Sequence, residues 1–278
     1  MNELQTADAY CRLLTRHYEN FAVASSWLRP DIRLDLMRIY AFCRTTDDLG
    51  DESGSAGLER LTRWRDEVAA MFDGAAPVHP ALVALREAVT HRAMPAKSFL
   101  DLIEANIQDQ HVATYEAWPE LHAYCMLSAA PVGRMVLAVF GLRSQTAEEL
   151  SDDVCIGLQL ANHAQDVSRD VKIGRTYLLQ SDIRANGIPY AVRQLVERAR
   201  TLLASGRALE TMAPLPLRLQ LSLYRLGGLA ICDEIEAIDF RTDRQRPHVS
   251  NPKKVNILLR GLLESLRSTG KIHDATTA

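Results

Sequence analysis

The chain has 278 residues, 47% of them apolar, and a formal net charge of −3, which is enough material for one large globular domain or two small ones. Its basic residues are scattered rather than striped, which removes the electrostatic case for a nucleic-acid partner. The five cysteines, Cys11, Cys43, Cys125, Cys155 and Cys232, form no Cys-x-x-Cys pair and read as buried thiols of a reducing cytosol rather than as a disulfide or zinc frame. Met1 to Gln5 lacks the basic flank and apolar core of a signal peptide. The longest uninterrupted apolar run, Met135 to Phe140, falls far short of a bilayer span. The expected location is therefore cytoplasmic, with peripheral contact at the inner membrane face left open.

Helical periodicity dominates from end to end, and no run alternates in the manner of a strand, so the fold class expected is all-α. A first helix covers about Leu4 to Asn20. A loop then ends at Pro30, with Asp31 as the cap of a second helix that closes near Ser53 to Gly57. Leu58 to Phe72 is amphipathic, Asp73-Gly74 and Pro77 mark a turn, and helices follow near Ala81 to Arg92 and Ala96 to Gln110. Trp118-Pro119-Glu120 opens a helix that runs towards Phe140, and Pro131 within Ser128 to Gly133 must kink or break it. Thr146 to Glu149 has capping-box spacing for the next helix, which Gly174 ends. After a loop through Asn186-Gly187, helices cover about Tyr190 to Glu210, Leu217 to Phe240 and Pro252 to Arg267. No repeat or linker interrupts this order, so one domain over residues 1–278 is expected.

Two stretches carry chemistry. In the second helix Tyr40, Arg44, Asp47 and Asp51 recur at offsets of four, three and four and share one face. The two carboxylates sit one turn apart, about 6 Å along the axis, and repel unless a cation lies nearby. Magnesium suits them: it takes hard oxygens and one or two protein carboxylates, while substrate phosphates complete its shell. The pattern returns at Asn162, Asp166 and Asp170, a strict every-fourth-residue stripe. A lone acidic pair is more often a solvated face. Two such pairs on otherwise apolar helices, each near basic residues, favour a metal–diphosphate site. Lys172 and Arg175 follow the second pair and could neutralise a diphosphate, although cations at a helix C-terminus also complement its dipole. His17, His111, His122 and His163 show no metal-ligand spacing and read first as core or surface histidines. Phe21, Tyr40, Phe42 and Tyr124 read as core by default, and as faces that stabilise positive charge if a cation is generated beside them. Hydrolase elbows, dinucleotide loops and P-loops are missing from the sequence.

These motifs resemble the squalene and phytoene synthase family over nearly the whole chain, from His17 to about Lys254. Asp47 to Asp51 and Asp166 to Asp170 match its two Asp-x-x-x-Asp motifs. Tyr40 and Arg44 match its Tyr-Ala-x-Cys-Arg segment, and Tyr124 with Ala129 to Gly133 matches its Tyr-Cys helix break. Asn162, Gln165, Arg175 and Tyr177 fall on its Asn-x-x-Gln-Asp-Val and Arg-x-Tyr positions. The resemblance implies the all-helical isoprenoid synthase bundle around a central cavity, with the two Asp-rich helices facing each other. It also implies a Mg2+-dependent reaction on a prenyl-type diphosphate. Asp47, Asp51, Asn162, Asp166 and Asp170 would be the metal residues. Tyr40, Arg44, Tyr124, Gln165 and Tyr177 would serve catalysis, and His17, Phe21, Arg44, Lys172 and Arg175 substrate binding.

Within the family the segments His17 to Ser25, Arg44 to Asp48 and Ser128 to Arg134 are most similar to the bacterial branch that converts presqualene diphosphate to hydroxysqualene. Glu19-Asn20-Phe21 replaces the Ser-x-Ser-Phe of condensing members, so Glu19 and Asn20 are candidates for positioning a water. Phe240 stands where many relatives have Tyr. The alternatives are head-to-head condensation of two prenyl diphosphates and, from another class, a non-catalytic scaffold of the same fold. A partner synthase of the same pathway belongs to the same expectation.

Overall fold

The computed structural model describes residues 2–15, 28–50 and 55–267. His17, Glu19, Asn20, Phe21 and Asp51 lie outside the described residues. Among the described residues the structure is helical with no strand. The sole extended pairing among them is an isolated parallel bridge between Tyr115 and Leu179. By internal contacts the chain divides into two compact units, residues 1–112 with 126–144, and residues 113–125 with 145–278.

The first unit contains α1 (Glu3–Thr15), α2 (Pro30–Gly50), α3 (Ser55–Phe72), α4 (Pro80–Arg92), α5 (Ala96–Gln108) and α7 (Ala130–Val139). Its core sets the rotation of α2. Leu36, Ile39 and Phe42 are buried, with Phe42 edge-on to Phe99 at 5.2 Å and stacked on Trp64 at 6.0 Å. The Trp64 indole donates to Thr46 at 2.9 Å, so the polar atom of this aromatic is satisfied inside the core. A buried ion network holds the neighbouring helices: Arg38 grips Asp8 of α1 at 2.9 and 3.1 Å and Asp35 at 3.3 Å, and Arg92 of α4 reaches Asp35 at 2.8 Å. With that face locked, Arg44, Asp47 and Asp48 are left exposed, and Tyr40 is half-buried.

The second unit is built on α8 (Gln145–Asp170), α9 (Gln180–Met212), α10 (Leu215–Glu236) and α11 (Asn251–Arg267). α8 and α9 approach closely at Gly157, where a Cβ would meet Leu203 Cγ at 2.9 Å and the Ala199 carbonyl at 3.1 Å. Buried Glu210 pairs with Arg225 at 2.6 Å. Arg218 donates to the carbonyls of Glu210, Ala213 and Ser265 at 2.9, 3.0 and 3.2 Å, satisfying groups that the end of α9 would otherwise leave open.

Several expected boundaries shift. Pro30 is the first residue of α2 and Asp31 lies in its first turn rather than capping it, since proline's missing donor is tolerated there. Thr146 lies inside the first turn of α8, which begins at Gln145, and so is not its cap. Pro131 breaks the Trp118 to Phe140 stretch into α6 (Trp118–Ser128) and α7. By length and composition Trp118–Val139 is apolar enough to cross a membrane, although no uninterrupted run is; 44% of its most apolar stretch is buried, and it is broken at Ala129. The expected Asn186-Gly187 loop is a break within α9: Gly187 adopts φ 80°, which favours glycine, and Asn186 is also non-helical. None of the five cysteines is in a disulfide, and burial pushes the Cys11 and Cys125 thiols up to about 12.

Candidate active site

The C-terminal end of α8 assembles the more complete of the two acidic stripes. Asn162 is exposed, Asp166 and Asp170 are half-buried, and the intervening positions His163, Gln165 and Val167 are buried. After Asp170 a 3-10 turn (Val171–Ile173) ends at Gly174 with φ 78°. The chain then doubles back, with the Arg175 amide donating to the Asp170 carbonyl at 2.9 Å. This reversal sets the Arg175 charge beside Asp170, and Lys172 stays exposed on the turn. Burial and the like charge of Asp166 together push the Asp170 carboxyl up to about 6, against the opposing pull of Arg175 and Arg169.

Arg246 is the residue that sequence reasoning missed. Its guanidinium holds Asp166 through Nε on Oδ1 and through Nη2 on Oδ2 at 3.4 Å, and Nη2 also donates to Gln165 Oε1 at 3.1 Å. Gln165 completes the clamp by donating from Nε2 to the Pro247 carbonyl at 2.8 Å. Gln165, expected to serve catalysis directly, thus has both ends of its carboxamide engaged in fixing the 246–247 segment. The signal available in the sequence was weak: a run of arginines, Arg241, Arg244 and Arg246, in front of Pro247.

Beside this stripe lies an aromatic stack. His163 lies on Tyr177 at 3.7 Å and 15°, and Tyr124 and Tyr115 pack against Tyr177 at 5.6 and 5.9 Å. The stack is placed by backbone pairing: the Thr176 amide donates to the Ala113 carbonyl and the Gln180 amide to the Tyr115 carbonyl, both at 2.9 Å. Burial lowers the His163 pKa to about 3, so the imidazole is neutral, and its Nε2 has no hydrogen-bond partner among the described residues. The ring is buried, as expected of a core histidine. Phe240 adopts φ 59° and carries the Arg193 guanidinium over its ring at 4.8 Å. The phenylalanine at this position therefore serves a cation–π contact.

The stripe on α2 is simpler. Arg44 pairs with Asp48 at 2.5 Å on an exposed face. Desolvation works against its charge, but Asp48 first, then Tyr40 and Asp47, hold the Arg44 pKa above the usual guanidinium value. Asp47 is exposed, and its partner in the motif, Asp51, is outside the described residues.

No three His, Cys, Asp or Glu side chains converge on a metal position among the described residues. The donors present still fit a hard divalent cation. Asp166, Asp170 and Asn162 offer oxygens on one helix face, and a protein cation, Arg246, already lies on one carboxylate while the other is driven towards protonation.

The sequence profile of the squalene/phytoene synthase family matches residues 14–253. The chain belongs to the squalene/phytoene synthase family. It is 36% identical over 220 residues to the hydroxysqualene synthase of Rhodopseudomonas palustris, covering 77% of this chain and 75% of that one. To the hydroxysqualene synthase of Sinorhizobium fredii it is 32% identical over 262 residues, covering 88% and 87%. Phytoene synthase 3 of Zea mays is 29% identical over 290 residues, covering 95% of this chain and 67% of that one. Among solved structures, squalene synthase HpnC from Alicyclobacillus acidocaldarius superposes with a TM-score of 0.81 at 39% identity, covering 86% of this chain and 96% of that one. A dehydrosqualene synthase in complex with ligand superposes with a TM-score of 0.83 at 22% identity, covering 96% and 98%, and shares the fold. The protein is accordingly an isoprenoid synthase with the all-α fold of that class, acting on prenyl diphosphates, and enzymes of its family use a divalent metal to ionise them.

Proposed function

We propose that this enzyme is a hydroxysqualene synthase. It would ionise presqualene diphosphate in a Mg2+-dependent reaction and capture the rearranged cation with water, releasing hydroxysqualene and diphosphate. The observation that carries the reading is the end of α8, where a stripe of two carboxylates flanked by Arg175 and Arg246 adjoins an aromatic stack whose one imidazole is neutral. Such a place suits departure of a diphosphate and shelter of a cation. Similarity to two hydroxysqualene synthases over most of the chain supports the choice of substrate.

Asp166, Asp170 and Asn162 would hold the cation on α8, and Asp47 with Asp51 would hold it on the other stripe. When bound, the metal supplies charge neutralisation for the diphosphate. Arg44, Lys172, Arg175 and Arg246 donate to the departing phosphate oxygens, so the carbon–oxygen bond breaks with its electron pair leaving on diphosphate. Tyr40, Tyr124 and Tyr177 would offer faces to a carbocation, Gln165 keeps Arg246 in place, and His17 and Phe21, outside the described residues, would bind substrate. Glu19 and Asn20 would position the water that adds to the cation, with the proton of the resulting oxonium passing to the released diphosphate. In this reading both stripes serve one reaction, so residues 1–278 work as a single domain on the cytoplasmic side of the membrane, with the supply of presqualene diphosphate falling to a partner synthase.

A second reading, condensation of two prenyl diphosphates, is favoured by the match to a phytoene synthase along 95% of the chain. A substrate panel separates them. Turnover of presqualene diphosphate without reductant supports the proposal. Turnover of farnesyl or geranylgeranyl diphosphate alone, to a new C30 or C40 diphosphate or hydrocarbon, supports condensation. Glu19→Ala should lower the yield of hydroxysqualene, and an unchanged yield would remove Glu19 from the water site.

A further inference from the structure

α11 is fastened to its own unit along one face. Gly261 lies against Leu223, where a Cβ would come within 2.9 Å of Cδ2. Arg225 pairs with Glu264 at 2.6 Å, Lys253 with Glu234 at 2.5 Å, and Arg218 donates to the Ser265 carbonyl at 3.2 Å. These contacts run from the first turn to the last, so they fix the rotation of the helix. The opposite side that results is apolar and faces water. Val255, Leu259, Leu263 and Leu266 follow one another at offsets of four, four and three and are 57%, 55%, 54% and 58% exposed. A single exposed leucine requires no explanation, but four on one helical face form a continuous patch of the kind that marks an interaction site.

The charge on the helix selects the occupant. Besides Lys253, which is tied to Glu234, α11 carries Lys254 and Arg260 against one acid, Glu264, which is held by Arg207 and Arg225 and lies 3.6 Å from Arg260. Three bases against one acid among its described side chains make the helix cationic in a chain whose net charge is −3. A second copy docking face to face would set these cations against their own counterparts. Residues 268–278, Ser-Thr-Gly-Lys-Ile-His-Asp-Ala-Thr-Thr-Ala, offer one large aliphatic side chain, Ile272, to cover four. An anionic bilayer complements both features at once: an apolar stripe lies at the level of the acyl chains and the cations reach the headgroups.

We propose that α11 is a docking helix that lies in the interface of an anionic lipid bilayer on its Val255, Leu259, Leu263 and Leu266 face. At 17 residues it is about 26 Å long and would lie in the plane rather than cross. Its start is close to the chemistry in chain terms. Arg246 holds Asp166, and five residues of chain, at most about 17 Å when extended, lead from Arg246 to Asn251. Docking through α11 thus brings the α8 stripe near the phase from which a lipid diphosphate enters and into which a lipid alcohol leaves. The passage of substrate and product through that phase rests on the proposed function, and the exposed face with its charge does not.

The test is flotation of the purified full-length protein, without substrate, on vesicles of phosphatidylcholine alone and of phosphatidylcholine with phosphatidylglycerol, at low and high salt. The wild type should float with the phosphatidylglycerol vesicles at low salt and be released by salt. The double variant Leu259→Glu/Leu263→Glu should bind at least about tenfold more weakly, as loss of two buried leucines demands. It should keep the wild-type melting temperature, because both side chains are exposed. Turnover of detergent-solubilised presqualene diphosphate, measured separately, should be the same in both proteins. A wild type that does not float, or a variant that floats like the wild type, would overturn the proposal. So would a dimer seen by light scattering that the variant loses while neither protein floats, which would assign the face to a second copy. Failed turnover with intact flotation would count against the reaction and leave the docking helix standing.

Discussion

The two acidic stripes share a sequence pattern and differ in setting. On α2 the core contacts of Phe42, Trp64 and Thr46 leave Arg44, Asp47 and Asp48 on an exposed face, where Arg44 pairs within its own helix. On α8 the carboxylates are half-buried, one held by Arg246 from eighty residues away and the other displaced towards protonation. Exposed carboxylates keep their charge at little cost because water screens them. Half-buried ones must be neutralised by something, and in this structure a guanidinium does part of that task. The α8 stripe is therefore poised for a cation at a cost in stability, whereas the described part of the α2 stripe lies exposed to water.

The largest effect should come from removing a carboxylate of the half-buried stripe. Asp170→Asn or Asp166→Asn should lower kcat/KM by about 10²–10³-fold, the scale of losing one preorganised electrostatic element. Loss of less than tenfold in steady-state assays would show that the stripe does not handle the diphosphate. Next is Arg246. Arg246→Ala should reduce kcat by about 10- to 100-fold, as expected for a residue that orients the groups around a metal. It should also tighten binding of Mn2+ to the substrate-free protein roughly fivefold, because a competing ion pair worth up to about 1 kcal/mol is gone. Slower turnover with tighter metal binding, followed by paramagnetic resonance, distinguishes this from simple misfolding. Arg246→Lys should recover part of the rate but lose the two-point grip on Asp166.

A stability difference follows from Asp170 with the sign worked out. Its carboxyl titrates near 6 in the fold against an ordinary 3.8, so the folded chain holds the proton more tightly between those values. The cost of ionising it inside the fold is complete above pH 6 and vanishes below about 3.8. At pH 7.5 without metal, Asp170→Asn should then be more stable than wild type by about 1 kcal/mol, after allowing for its half exposure, or about 2 °C in melting temperature. The gain should disappear near pH 4. An unchanged or lower melting temperature at pH 7.5 would show that the carboxylate is not under strain. The smallest effect belongs to the exposed stripe: Asp48→Asn removes the Arg44 pair and should cost no more than about 0.5 kcal/mol in thermal or chemical unfolding.

The same contrast shows what could be read from sequence. Offsets of three and four placed Tyr40, Arg44 and Asp47 on one face of α2, and Asn162, Asp166 and Asp170 on one face of α8, because helical periodicity is a local property. The all-α class and the breaks at Pro131 and Asn186-Gly187 were legible for the same reason. The clamp on Asp166 was not, since it depends on the return of residues 246–247 across eighty positions. Nor was the stacking of His163 on Tyr177, which accompanies the pairing of 113–116 with 176–181. Thr146 satisfied a capping pattern that the actual start of α8 at Gln145 overrides, because capping signals tolerate shifts of a residue or two.

The most direct test of the central claim is to incubate the purified protein with presqualene diphosphate and Mg2+ in 18O-labelled water, without reductant, and to analyse the extracted lipid by mass spectrometry. The account predicts hydroxysqualene carrying one 18O atom and no product when the metal is chelated. Unlabelled alcohol, a product that survives chelation, or turnover confined to farnesyl or geranylgeranyl diphosphate would contradict it.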